Sequence, residues 1–153
     1  MNLIKAELNH LDIAREIVRT SIEQAYPLCY PGEAVELFLH VIHTRENISR
    51  DIQAGTMWLM EENSIFFGTG CLRGDEIARV YLLPEYQGRG YGSAMMDALE
   101  AAAAREQDRV KLSPSLPAEA FYRRRGYRLI SHQDCPLEHG AVLSRDVMEK
   151  VLR

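Results

Sequence analysis

The sequence predicts an α+β fold: a central mixed, mostly antiparallel sheet of six to seven strands, flanked by about four helices. Three observations carry this. Short apolar or β-branched runs at Met57 to Met60, Ile65 to Cys71 and Ile77 to Leu83 are separated by Glu-Glu-Asn and Arg-Gly-Asp-Glu turns, as in an antiparallel meander. Apolar residues recur at helical spacing before and after them. The 153 residues suit one domain spanning 1–153, with no repeat, linker or low-complexity tract.

Taken in order, residues 2 to 8 read as a strand. Asn9 to Asp12 offers capping groups ahead of a helical pattern at Ile13, Ile17, Ile22 and Ala25. Pro27 and Pro31 interrupt the chain, and Val35, Phe38, Leu39 and Ile42 then recur as a helix does, with another short helix at Ile48 and Ile52. After the meander, Ser93 to Glu106 is Ala-rich with Met95, Met96 and Leu99 on one side, a strong helix. Val110 and Leu112 make a short strand, and Ala118 to Arg125 a helix closed by Gly126. Tyr127 to Ile130 and Ala141 to Val147 complete the sheet.

Charge and composition narrow the function. Net charge is −4, and the basic residues are scattered except at Arg123, Arg124 and Arg125, so a nucleic-acid partner is not expected. That run reads either as a phosphate clamp or as a solvated helix face. No apolar run approaches the roughly 20 residues that span a bilayer. Cys29, Cys71 and Cys135 lack metal-ligand spacing, and no charged-then-apolar leader opens the chain. A cytoplasmic protein, monomer or homodimer, is the expectation.

The most informative segment runs from Pro84 to Gly92, between an apolar strand and the Ala-rich helix. Glycines at 88, 90 and 92 let the backbone turn sharply and aim several N–H groups into one concavity beside the positive end of a helix. Such a concavity suits a diphosphate. The G-x-G-x-G spacing is not the G-x-G-x-x-G of a dinucleotide fold, and no Gly-Lys-Ser or Gly-Lys-Thr marks a nucleotide P-loop.

With Gln87 the turn is Q-x-x-G-x-G, and behind the strand Arg79-Val80-Tyr81-Leu82-Leu83-Pro84 it resembles the acetyl-CoA-binding motif of the GNAT superfamily of N-acetyltransferases. Downstream, Ser115-x-x-Ala118-x-x-Phe121-Tyr122-x-x-x-Gly126-Tyr127 is similar to that family's N-x-x-A-x-x-F-Y-x-x-x-G-F segment. The resemblance implies a splayed sheet and direct transfer of acetyl from acetyl-CoA, a co-substrate, to a primary amine of a small molecule or peptide. It also implies that Gln87, Gly88, Arg89, Gly90, Tyr91, Gly92 and Ser93 hold the pyrophosphate, that Val80, Tyr81 and Leu82 pair with the pantetheine arm, and that Tyr122 protonates the leaving thiolate. A bulge near Tyr81 would splay the strands.

Two positions depart from the pattern. Ser115 stands where Asn is frequent, which shortens or removes one cofactor contact, and Val110 stands where some relatives carry a basic-acting Glu. Glu76, at the start of the motif strand, is the candidate base through a water chain, with His132 behind it. Tyr26, Tyr30, His40, His43 and Trp58 are candidates for the acceptor pocket, where aromatic rings can cage a cationic amine such as a polyamine, an amino sugar or a peptide N-terminus. His40 and His43 share a helix face without a carboxylate or cysteine to complete a ligand set, so no metal is expected. The alternative to an enzyme is a non-catalytic acyl-CoA-binding or regulatory module on the same fold.

Overall fold

The computed structural model describes residues 1–136 and 142–153. Strand β1 (Asn2–Lys5) leads into helix α1 (Leu11–Ala25), followed by α2 (Gly32–Leu37) and α3 (Arg45–Gln53). The meander is β2 (Met57–Glu62), β3 (Ile65–Arg73) and β4 (Glu76–Leu82). Helix α4 (Tyr91–Ala103), β5 (Arg109–Leu112), α5 (Glu119–Arg124) and the hairpin β6 (Arg128–Pro136) and β7 (Val142–Val151) complete the described chain. The element order is the expected one.

The seven strands form one sheet in the order β1-β2-β3-β4-β5-β7-β6. Every neighbouring pair is antiparallel except β4 and β5. Alternation along the strands makes a core on each face: Met57 and Leu59 pack with α1 and α3, while Met60 joins α4 and α5 on the other face. Helix α4 lies so close to β3 that a Cβ on Gly70 would meet Met95 Sδ at 2.6 Å. Any larger residue would push the Met95 and Leu99 side chains aside.

Several boundaries moved. The first strand ends at Lys5, and a 3-10 turn at Leu8–His10 follows, in which the Glu7 N–H donates to His10 Nδ1 in place of an Asn9 cap. The helical spacing through Ile42 continues α2 as a π-helical turn at Phe38–Ile42. β6 and β7 pair as far as Pro136 and Val142. The polar run Ser131 to Asp134 conceals this extension, because β6 is exposed there and carries no apolar alternation. Ala141, expected to begin the last strand, lies outside the described residues.

Candidate active site

The glycine-rich turn has the backbone its composition requires. Gly90 is the N-cap of α4 at φ 86°, and Gly88 sits at φ 73°, both left-handed conformations that strain any other residue. A Cβ at either position would point into open space. Ala94 is the first helix residue to bond back, to the Gly90 carbonyl at 3.0 Å, and no side chain caps the helix. The N–H groups of Tyr91, Gly92 and Ser93 therefore face outward at the positive helix end, a fit for an anionic diphosphate. Gln87 folds back, its Nε2 donating to the Leu82 carbonyl at 3.1 Å. Arg89 lies over Tyr86 and Tyr91, 5.4 and 5.9 Å from their ring centres.

Beneath the turn, β4 and β5 part company. They are in register only at Glu76 and Lys111, so Val80 to Leu82 runs beyond their pairing. On its other edge β4 pairs with β3, where Leu83 N–H donates to the Phe67 carbonyl at 2.9 Å. Antiparallel pairing alternates, so the Leu82 N–H and carbonyl are turned away from β3 toward the opening. The register of β3 and β4 also jumps between Thr69 and Cys71. That bulge centres on Arg79 and Val80, one residue from the position expected, and holds Arg79 at φ 50°. A non-glycine residue there costs about 1–3 kcal/mol, so its surroundings must hold it.

Those surroundings are a buried chain of hydrogen bonds. Thr69 Oγ1 donates to the Arg79 carbonyl at 2.7 Å. The Arg79 guanidinium donates through Nε to Asp51 Oδ2 at 2.9 Å and through NH1 to the Ile42 carbonyl at 3.3 Å and His43 Nδ1 at 2.7 Å. A guanidinium cannot accept, so His43 Nδ1 carries the lone pair and the proton sits on Nε2. From there it is donated to the Tyr81 hydroxyl at 2.9 Å, which meets the Tyr26 hydroxyl at 2.9 Å. Burial, reinforced by the Arg79 charge, pushes the His43 pKa down to about 3, so the imidazole is neutral. Burial likewise raises Tyr81 and Tyr26. Ser115 stands beside the Tyr26 hydroxyl.

This chain forms one wall of a cavity of about 630 Å³ between the helical region after α1, β4, the loop after β5, and β7. Of the expected acceptor residues, Tyr26, Tyr30 and His43 line it, as do Glu76 and Ser115. Burial pushes the Tyr30 phenol up to about 12, and its oxygen accepts the Leu116 N–H at 2.8 Å. His40 instead pairs with Glu36 on the exposed helix surface, and Trp58 lies in β2 with Lys5 over its ring at 4.4 Å. Neither lines the cavity. His40 lies within the π-helical turn and His43 just past its end with non-helical backbone, so the two histidines face different ways.

Tyr122 is buried, its ring between Phe121 and Tyr127 at 5.2 and 5.7 Å. Burial raises its pKa, and the Tyr26 hydroxyl is near enough to raise it further. Glu76 Oε1 accepts from Arg73 NH1 at 3.2 Å. His132 is exposed on the hairpin between Asp134 and Asp146, off the cavity wall. The arginine run divides: Arg123 pairs with Glu119 along its helix, while Arg125 joins Lys150 and Tyr127 around the buried Glu100. Asp51 and Arg79 were not singled out by the sequence; the only local signal was a charged residue at an inward strand position.

A splayed mixed sheet, opened beside a glycine-rich turn onto a helix, defines an acetyltransferase scaffold. A family model, Acetyltransferase (GNAT) domain, matches residues 28–138. The chain belongs to that family. A GCN5-related N-acetyltransferase from Rhodopseudomonas palustris is similar at 25% identity and TM-score 0.87, over 98% of this chain and 94% of that one. The PaiA N-acetyltransferase of Thermoplasma acidophilum, solved with coenzyme A, shares the fold at 18% identity and TM-score 0.74, covering 98% of each chain. So does YncA of Salmonella typhimurium, described as a putative acetyltransferase and solved with acetyl-CoA, at 17% identity and TM-score 0.74, over 100% and 94%. No curated protein matches the sequence. Among the described residues no helix is long and apolar enough to cross a membrane.

Proposed function

We propose that this chain is an N-acetyltransferase in which a neutral primary amine, entering through the cavity, attacks the acetyl-CoA thioester directly. The observation that carries this reading is the opening of β4 away from β5, which joins the free N–H groups of α4 to the cavity by one strand edge. The diphosphate lies on the backbone of Gly88 to Ser93 with Arg89 alongside. Gln87 clasps the turn, Tyr91 walls it, and the pantetheine amides pair with Val80, Tyr81 and Leu82 as an added strand would. The Leu82 N–H, aimed at the opening, polarises the carbonyl.

As the C–N bond forms and the C–S bond breaks, Tyr122 gives its phenolic proton to the departing thiolate. Burial keeps that phenol protonated until the thiolate appears. Glu76 takes the proton lost by the amine through water, because its carboxylate is 34% exposed whereas Asp51, the other acid on the wall, is 9% exposed and bound by Arg79. Ser115 borders both substrates.

The test is thiol release from acetyl-CoA with a panel of amines, alongside melting curves. Acetyl-CoA at a hundredfold excess over its dissociation constant should stabilise the fold by about 2.7 kcal/mol, and NAD or ATP should not. Binding of acetyl-CoA without turnover of any amine overturns the catalytic reading and leaves a binding module. Stabilisation by NAD alone overturns both.

A further inference from the structure

The charges on the cavity wall do not match the acidic balance of the whole chain. Among the described residues six charged side chains line it: Arg50, Asp51, Arg73, Glu76, Arg79 and Arg145. Asp51 is held by Arg79 at 2.9 Å and by Arg73 at 3.2 Å, and Arg73 also binds Glu76 at 3.2 Å. Two carboxylates are thus matched by two guanidinium groups. Among the described residues the Arg50 guanidinium bonds the neutral Asn47 oxygen at 3.3 Å, and that of Arg145 the Ser113 hydroxyl at 2.8 Å. Among the described residues neither has a carboxylate partner. His43, held neutral between Arg79 and Tyr81, adds no charge of its own.

We infer that the acceptor is an amine that also carries an anionic group, a carboxylate or a phosphate, which Arg50 and Arg145 bind. This deepens the proposed function and rests on it only for the reaction itself. A purely cationic acceptor would enter a wall carrying two positive charges without a carboxylate partner and be repelled by both, although Arg50 and Arg145 keep their exposure to solvent. An anionic group meets two forks whose planar N–H donors suit carboxylate and phosphate alike. The reversal of sign relative to the net charge of −4 is what excludes reading the acceptor from composition.

The experiment is calorimetric titration of the full chain, saturated with CoA, against the common L-amino acids, phosphoethanolamine and glucosamine 6-phosphate. Each is set beside its counterpart lacking the anionic group, and spermidine is included. At least one anionic amine should bind about 10- to 100-fold more tightly than its counterpart, and the carboxylate and phosphate arms identify which anion is used. Arg50→Gln and Arg145→Gln should each cut that ratio by about tenfold, and Arg→Lys at the same positions should restore part of it. Acetyl-CoA affinity reports that the variants are folded. Preference for spermidine or for the stripped amines, or no binding of any anionic amine, overturns the inference. Tight binding of an anionic amine without acetyl transfer would overturn the catalytic proposal and leave this one standing.

Discussion

The glycine-rich turn and the cavity meet along one strand but are made of different material. The turn offers backbone: the N–H donors of Tyr91, Gly92 and Ser93 stand free at the start of α4, and no side chain caps them. The cavity works through side chains gathered from α3, the turn before it, β4 and the end of α1, joined as Asp51, Arg79, His43, Tyr81 and Tyr26. A backbone site needs a conformation, which a few glycines specify locally. A side-chain network needs a fold, since its members lie up to dozens of residues apart. Damage to the turn should therefore leave the fold intact, whereas damage to the network should reach stability.

The largest effect is expected at the proposed acid, which lies buried on α5 and is not among the residues lining the cavity. Tyr122→Phe removes one hydroxyl and should lower kcat by about 10²- to 10⁴-fold with little change in acetyl-CoA affinity, the range for losing a general acid. Rapid-reaction and steady-state assays would check it. A wild-type kcat would remove Tyr122 from the chemistry and reduce its role to packing.

Asp51→Ala tests the network alone. It strands the buried Arg79 charge on a strained backbone, and breaking such a pair costs about 3–5 kcal/mol. Urea unfolding should register that loss, while acetyl-CoA still binds whatever remains folded. A loss below about 1 kcal/mol, the value of an exposed pair, would show that Arg79 finds another partner.

Gly90→Val tests the turn. A β-branched residue at φ 86° lies near the top of the roughly 1–3 kcal/mol strain range, and the turn should relax by moving. Acetyl-CoA affinity should fall by tenfold or more, read by calorimetry, with the melting transition retained. Unchanged affinity in the folded variant would make the turn a mere connection.

The same contrast explains what the sequence disclosed. The turn was legible because Gly88 and Gly90 announce their left-handed backbone, whereas Gly92 lies in regular helix within α4, and the element order because strand and helix periods are local. The cavity was legible only in part. Tyr26, Tyr30 and His43 were found as aromatic or polar residues near one another in the chain, but nothing local separates His43 from His40, which the helix turns outward to Glu36. Arg79 read as an ordinary strand residue, since its partner Asp51 is 28 positions away and its bulge leaves no composition signal. The long β6–β7 hairpin was shortened because exposed strands lose their apolar period.

The smallest effect concerns His43, and it distinguishes a network held by neutral hydrogen bonds from one that tolerates charge. Its pKa is depressed to about 3 in the folded protein, while an unfolded histidine titrates near 6.5. Between those values the unfolded chain binds a proton and the folded one does not, so stability falls as pH drops below about 6.5 and stops falling near 3. Above pH 7 both states are neutral and the term vanishes. At pH 5.5 it amounts to about 1.4 kcal/mol. His43→Gln can accept from Arg79 and donate to Tyr81 without titrating, so its unfolding free energy should lack this term while keeping the pH dependence of the other histidines. Denaturant melts of both proteins at pH 8, 7, 6 and 5.5 should converge toward acid by that amount. Parallel curves would mean that His43 takes up a proton within the fold and that its Nδ1 gives up the Arg79 hydrogen bond, since a guanidinium cannot accept one.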